Sequence, residues 1–433
     1  MSRYLYLITA FVMLLWLPVL LTQLRPEPLS VFFWQHQLIL LSGGLAVTYM
    51  SLAMVLAVRP VWLEKTFDGL DKMYRLHKQL GIAALISLIV HWLLAHSRKW
   101  IVQLGYAPRP EKQNSTLIEG IDWQELGEGV GDFAFKIFLV FAVISLVQAV
   151  SYKKFRFIHK LGGAIFIAGA FHSLTLLDYD LFMLPFNALI WVLCLLGTAA
   201  SLISLTGKIG AKRKTSGEIT DVQPFNNGVH IKIHLQKTIQ YKPGQFAYLD
   251  FHDKESPHPF TVLNYCPRTR EAEFAIKNLG DYTQSLLTSL TNKQAVTLEG
   301  PYGEFQPDSH ARQIWVGAGI GIAPFIAWLE FMVREKVCRA EVDFYYCVNC
   351  KSDAYFAQRL QTLTQSFSNV RLHILTAQEG QLLNADEIIS KVKKQAYSLS
   401  FCGPALFSET LSDALAKSKN APVRFQRELF NMR

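Results

Sequence analysis

The first half of the chain is a series of long apolar runs joined by short basic connectors. The second half breaks into short alternating segments and then into strand–helix repeats. Six runs, near 4–22, 37–58, 79–96, 133–151, 158–177 and 183–206, hold the roughly 20 apolar residues that a helix needs to cross hydrocarbon. The first has no small-x-small cleavage site and is followed by Gln23 and Arg25, so it is read as an uncleaved helix. Residues 215–305 give short strands, Val229–Leu235, Gln245–Phe251, Glu273–Lys277 and Ala295–Glu299, separated by turn residues, which predicts a small antiparallel barrel. From residue 310 onward strands at Gln313–Val316, Val342–Val348, Val370–Leu375 and Ser398–Cys402 alternate with helical patterns and predict a parallel sheet.

Charge orients the apolar half. Lys and Arg collect at 59–78, at 153–160 and at 208–214, and the acids collect at 111–132. By the positive-inside rule both termini and the soluble half face the cytoplasm. The net charge of +9 is explained by these connectors, so no nucleic-acid partner is expected and the lipid bilayer is. The cysteines Cys194, Cys266, Cys338, Cys347, Cys350 and Cys402 form no disulfide framework, in keeping with a reducing compartment. Cys347-x-x-Cys350 has no second pair and is read as structural.

Four histidines stand inside the apolar runs. His77 and His91 are 14 residues apart, and His159 and His172 are 13 apart. At about 1.5 Å per residue each pair spans roughly 20 Å of helix axis. Ionisable residues in such helices are costly and point to function, and neutral imidazole is a haem ligand. Matching by depth places one haem on His77 and His159 and a second, outer one on His91 and His172. Thirteen residues at about 100° each leave the second ring roughly 140° off the face of the first. The spacing therefore requires a tightened turn at Gly162-Gly163 or an irregular helix start at His159. His96 competes with His91, and His36 has no partner at a useful spacing.

The soluble half carries three segments of interest. His258-Pro259-Phe260-Thr261 ends in a hydroxyl able to bond a flavin edge or ribityl chain. Lys277-Asn278-Leu279-Gly280-Asp281-Tyr282-Thr283 opens a helix whose amides suit a pyrophosphate. Gly300-Pro301-Tyr302-Gly303 follows. Three plain turns are the structural alternative. Further on, Gly317-Ala318-Gly319-Ile320-Gly321-Ile322-Ala323-Pro324 joins a strand to a helix, as dinucleotide loops do. The second strand of this sheet ends Val348-Asn349-Cys350-Lys351 with no acid before Asp353. Lys351 suits a 2′-phosphate, so NADPH is expected, with NADH as the alternative.

Arg75-Leu76-His77-Lys78 and Phe157-Ile158-His159-Lys160-Leu161-Gly162-Gly163 resemble the ferric reductase-like transmembrane domain shared by NADPH oxidases and ferric reductases. The resemblance covers roughly 37–206 and implies that the four histidines are the ligands of two b-type haems. The HPFT segment and the two that follow it resemble the ferredoxin-reductase-type FAD domain, although Val262-Leu263-Asn264 replace the small residues common after the Thr. That likeness implies FAD contacts at His258, Pro259, Phe260, Thr261, Lys277, Gly280, Asp281 and Thr283. The glycine loop and the missing acid give expected dinucleotide contacts at Gly317, Gly319, Gly321, Pro324 and Lys351, to which the likeness adds Gly403. It also implies that Cys402 meets the nicotinamide and that an aromatic near the C-terminus, Phe430, covers the flavin. The expected protein is a multi-domain membrane protein of a bacterial inner membrane. It would comprise a six-helix transmembrane haem-binding bundle (1–210), an antiparallel β-barrel FAD domain (211–308) and an α/β Rossmann-like nucleotide-binding domain (309–433). Electrons from NADPH would pass outward to a small-molecule acceptor, oxygen giving superoxide or a ferric chelate. A membrane binding or transport protein with a degenerate reductase tail is the reading from another class.

Overall fold

The computed structural model describes residues 2–23, 31–108, 121–146, 155, 158–177, 184–393, 395–418 and 420–428. Its contacts divide the chain into two compact units. The first is Met1–Leu63 with Lys72–Ile209, and the second is Glu64–Asp71 with Gly210–Arg433.

The first unit is helical: α1 (Ser2–Gln23), α2 (Val31–Ala57), α3 (Val61–Thr66, at its border), α4 (Leu70–Gln103), α5 (Trp123–Leu146), α6 (Gly162–Thr175) and α7 (Leu184–Leu205). Among the described residues five of these, α1, α2, α4, α5 and α7, are long and apolar enough to cross a membrane. Six were expected. The run predicted at 158–177 is interrupted at Leu161, where a turn bonds Leu161 N–H to the Ile158 carbonyl at 2.9 Å. The continuous helix beyond it has 14 residues, about 21 Å of rise against a hydrocarbon core of about 30 Å. Val12 and Val19 of α1, Phe166 and Ala170 of α6, and Phe186, Ile190 and Cys194 of α7 form one buried cluster.

The second unit opens with a closed barrel in the order β1-β2-β5-β4-β3-β6. Its strands are β1 (Lys214–Phe225), β2 (Gly228–Leu235), β3 (Phe246–Asp250), β4 (His258–Cys266), β5 (Glu271–Lys277) and β6 (Ala295–Tyr302). Along β2, Ile231, Ile233 and Leu235 are buried while Lys232 and His234 turn outward, the period-two pattern of a one-sided strand. Helix α8 (Asp281–Ser289) follows β5.

A parallel sheet comes next, in the order β11-β10-β7-β8-β9. Its strands are β7 (Arg312–Ala318), β8 (Glu341–Val348), β9 (Val370–Thr376), β10 (Ser398–Cys402) and β11 (Arg424–Glu428), with α9 (Ala323–Glu335), α10 (Ala357–Thr364), α11 (Ala385–Val392) and α12 (Ala405–Ala416) between them. β7 and β10 are almost wholly buried, as expected of strands covered on both faces.

Asp343 of β8 is buried and is met by Arg312 from β7 and by Arg371 and His373 from β9. Burial alone would raise its pKa, but hydrogen bonds from His373, Arg371 and Arg312 hold the carboxyl well below the usual range. The stabilisation is therefore present above the ordinary carboxylate pKa and is lost in acid. Asp343→Ala leaves the buried Arg312 guanidinium without its counter-charge and should destabilise the sheet by about 3–5 kcal/mol. Urea unfolding followed through the buried Trp315 and Trp328 measures this; a change below about 1 kcal/mol would contradict it.

Candidate functional site

The four helical histidines come together as two pairs. His77 of α4 and His159 have ring centroids 5.8 Å apart at 69°, and His91 of α4 and His172 of α6 have centroids 6.1 Å apart at 87°. Each pair takes one ring from α4 and one from the 158–175 segment, which is the pairing that depth predicts. The interruption at Leu161 explains how a 13-residue gap permits it. Leu161 keeps helical torsions (φ −62°, ψ −18°) but its N–H reaches back only three residues, to the Ile158 carbonyl, so a tightened turn lies between His159 and α6.

Hydrogen bonds fix the chemistry of these rings. His77 Nδ1 lies 2.8 Å from the Ala53 carbonyl, His91 Nδ1 3.1 Å from that of Ile39, and His172 Nδ1 2.8 Å from that of Gly127. A carbonyl only accepts, so Nδ1 carries the proton and Nε2 keeps its lone pair in the neutral ring. His159 Nδ1 lies 3.3 Å from Ser145 Oγ. A metal-binding histidine is held in this way, by its second nitrogen on a carbonyl. Two imidazoles on opposite sides of one metal, with bonds of about 2 Å, would place their centroids roughly 6 Å apart. Both pairs fit. Glycine makes the room: a Cβ at Gly131 would lie 2.1 Å from His172 Nδ1, and one at Gly43 would lie 3.1 Å from His91 Cε1. Sequence reading passed over Gly131, although Gly127, Gly129 and Gly131 in one apolar helix are a usable signal. His96, the competitor, instead lies tilted against the Trp92 ring with centroids 4.2 Å apart, and its Nδ1 bonds the Trp92 carbonyl.

In the barrel, His258, Pro259, Phe260 and Thr261 begin β4, so Thr261 lies inside a strand and not at its end. Its hydroxyl is buried and has no hydrogen-bond partner among the described residues, as suits a group awaiting a ligand. The His258 ring stacks at 4.1 Å on Tyr282, whose hydroxyl donates to Asp253 at 2.9 Å. This stack joins the HPFT strand to the start of α8. Thr283 Oγ1 accepts from the Leu279 and Gly280 amides at 2.8 and 3.1 Å and fixes the turn before Asp281. Lys277 Nζ reaches past the barrel, to 3.9 Å from Asp353 Oδ2 and to the neighbourhood of Gly319.

The sheet order has a topological switch, the place where open α/β sheets of this kind have their ligand crevice. β8 and β9 extend from β7 on one side and β10 lies on the other, so the topological switch falls between β7 and β10. Gly317 pairs directly with Cys402 across that junction. Beyond it the two loops touch. A Cβ at Gly321 would lie 2.2 Å from the Cys402 carbonyl, and one at Gly403 (φ +158°) 2.7 Å from Ala318 Cβ. Gly319 has φ +57°, and Pro324 stands in the first turn of α9. The site residues drawn from the two motifs are thus neighbours. Burial, with the charge of Glu428 added, pushes the Cys402 thiol well above its ordinary pKa. Glu428 itself is buried at the end of β11 with Oε2 unpartnered among the described residues. Burial and the charge of Asp71 raise its pKa well above the usual range. Glu428 was missed because one acid in a polar terminal segment carries no periodic signal.

Lys351 is exposed and already paired with Glu379 at 2.6 Å, so the sheet edge offers a cation and an acid side by side. Cys347 lies in β8, its thiol pushed up to about 12 by burial, and the described residues include no metal-holding group of three or more His, Cys, Asp or Glu. Phe430 lies outside the described residues.

Comparison with known proteins gives three family matches in chain order. A ferric reductase like transmembrane component matches 42–170, an FAD-binding domain matches 216–306, and an oxidoreductase NAD-binding domain matches 315–411. The reductase component of the naphthalene 1,2-dioxygenase system of Pseudomonas putida is 25% identical over 213 residues, 46% of this chain and 63% of that protein. A related reductase component from Ralstonia sp is 24% identical over 170 residues, 38% of this chain and 51% of that protein. The chain thus spans about half to two thirds of the length of these curated relatives. A flavohemoglobin from Malassezia yamatoensis, solved with FAD and heme, is 16% identical with a TM-score of 0.50, covering 92% of this chain and 97% of that one; the likeness is one of fold.

Gly321→Ala would drive a methyl group into the Cys402–Gly403 loop. It should lower NAD(P)H-driven ferricyanide reduction on the order of tenfold with flavin content unchanged. Wild-type rates in the variant would show that the contact of the two loops is dispensable.

Proposed function

We propose that this chain, an NAD(P)H-dependent oxidoreductase with the ferric reductase/NADPH oxidase-type architecture, carries electrons from cytoplasmic NADPH through FAD and two b-type haems to an acceptor on the outer face. NADH is the alternative donor. The acceptor in this reading is oxygen, giving superoxide. The observation that carries it is the pair of facing imidazoles at each of two depths, with Nδ1 on a backbone carbonyl in three of the four rings. When bound, FAD would turn a two-electron donor into one-electron steps and each haem iron would accept and release one electron.

The chain's own residues supply binding and orientation. His77 and His159 would hold the inner haem and His91 and His172 the outer one, each ring aimed by its Nδ1 partner. Thr261 would offer its buried hydroxyl to the flavin, and His258 stacked on Tyr282 would wall one side. The turn at Gly280, Asp281 and Thr283, with Lys277, would face phosphate. The Gly317–Gly321 loop and Cys402-Gly403 would bring the nicotinamide to the flavin at the sheet's switch point. Burial keeps the Cys402 thiol protonated, which suits a packing role and not a nucleophilic one. Phe430 would cover the flavin until the nicotinamide arrives. A second reading, reduction of a ferric chelate by the same route, is favoured by the description of the matched transmembrane family.

Two measurements test this. His91→Ala or His172→Ala should lower haem absorbance per protein by about half while NAD(P)H still reduces the flavin. An unaltered spectrum in either variant would remove these residues from the ligand set. For the acceptor, cytochrome c reduction that disappears with superoxide dismutase supports oxygen. A dismutase-insensitive signal together with rapid anaerobic ferric-chelate reduction selects the second reading.

A further inference from the structure

Glu64 lies in α3, on the connector between the apolar helices α2 and α4, yet its neighbours belong to the barrel. It is only 4% exposed. Oε1 accepts the Gly303 N–H at 2.6 Å and Oε2 accepts from Arg213 Nη1 at 3.1 Å. Arg213 stands on the other connector, the one that follows α7. The same Nη1 donates to the Pro301 carbonyl at 2.9 Å, and the guanidinium lies 4.5 Å over the Tyr302 ring. The Gly303 carbonyl in turn accepts from Gln245 Nε2 at 3.0 Å, which commits both sides of that residue. The two chain links between the helical half and the barrel therefore meet on one turn, Pro301–Gly303. A Cβ at Gly303 would lie 3.5 Å from Glu428 Oε1, so the turn also borders the end of β11.

Exposed ion pairs are worth little, but this carboxylate is buried with both oxygens engaged. Such a group is strongly destabilising once its partners are removed. Burial pushes its pKa up against the Gly303 hydrogen bond and the Arg213 charge. A hydrophobic residue could fill the space but would make neither the Gly303 nor the Arg213 bond. The geometry matters because this connector leads straight into the first turn of α4, where Asp71 stands six residues before His77.

We propose that Glu64 is a positioning residue, a latch that ties both connectors to the Pro301–Gly303 turn and so sets how efficiently electrons delivered to the flavin reach the His77–His159 pair. This rests on the function proposed above.

The test uses the full-length protein in nanodiscs. In Glu64→Ala, hydrogen exchange should rise together in peptides covering 64–71 and 300–304, on the order of tenfold, with β2 unchanged. Flavin reduction by NAD(P)H should stay within about twofold, while haem reduction slows about tenfold to a hundredfold. Glu64→Gln keeps an oxygen for the Gly303 N–H and loses the charge facing Arg213, so it should fall between. If the alanine variant does not accumulate, Glu64→Gln and Arg213→Lys provide the same two readouts. Unchanged exchange in both peptides overturns the latch, and so does an equal loss of flavin and haem reduction, which would mark a plain stability role. If wild-type protein holds no haem, the proposed route fails, and coupled exchange of the two peptides still decides the latch.

Discussion

Hydrocarbon leaves no water for a ring nitrogen, and this one constraint organises the helical half. An imidazole has two nitrogens to satisfy. At His77, His91 and His172 the chain spends Nδ1 on the carbonyl of a neighbouring helix. A helical carbonyl already bonded within its own helix has a second lone pair, so the acceptor comes without breaking a turn. The consequence is chemical as well as structural: the tautomer is set, the ring plane is set, and the remaining lone pair belongs to Nε2. Two such rings face each other about 6 Å apart, each with its Nε2 lone pair left as an acceptor. In the proposed function, a haem iron held by each pair would take those lone pairs. The glycines at 43 and 131 and the break at Leu161 follow from the same demand, since each lets a ring reach its place.

In the second unit the organising element is the junction of β7 and β10. Parallel strands put their C-terminal ends on one edge, and the reversal of strand order there leaves a crevice between two loops. Gly321 and Gly403 let those loops touch, which makes the crevice a fixed object. The barrel is tied to this edge by charge. Arg359 of α10 bonds Glu273 of β5 and Glu330 of α9, and Lys277 at the end of β5 approaches Asp353. Glu273 would be raised by burial, but the His230 hydrogen bond and Arg359 hold it down to about 2. That cross-link therefore persists throughout the ordinary pH range. A flavin in the barrel and a nicotinamide at the sheet must keep their reacting atoms in register, and partly buried pairs resist drift better than loops would.

What the sequence revealed, and what it hid, divides along the kind of signal involved. Apolar runs and period-two alternation located most of the helices and eight of the eleven strands, because burial itself produces those patterns. β1 and β11 escaped since both are largely polar, Lys214–Phe225 and Arg424–Glu428, and are recognisable only through their pairing partners. β4 was read as a motif and not as a strand, because Pro259 argues against a central strand. Among the described residues the sixth run is not one helix of spanning length: hydropathy registers composition, while the turn at Leu161 is a matter of backbone geometry. The four histidines were visible, as was their pairing by depth. Glu64 and Glu428 were not. Each is a single acid in a polar stretch, and only the fold shows it to be buried.

The choice between the two dinucleotides turns on a pair that sequence reading saw by half. Lys351 alone suggests a 2′-phosphate, whereas Glu379, 28 residues later, comes from the segment after β9 and meets it at 2.6 Å. The acid expected at the end of the second strand in an NAD site is thus supplied from the third. In the proposed site, a ribose 2′-hydroxyl would meet the carboxylate and a 2′-phosphate the cation, whose charge is shared within the pair. Either ligand can recruit its half, because an exposed ion pair opens at little cost. The same ease means that the pair by itself imposes little selectivity. A strong preference for one dinucleotide has to come from groups that cannot swing away. The rigid candidates at this edge are the backbone of Asn349, whose carbonyl accepts from Gln378 N–H at 3.0 Å, and the short 3-10 turn Lys351–Asp353. In the proposed reading, selectivity would therefore depend on how closely that backbone approaches the ribose, and less on the charge that first draws attention to it.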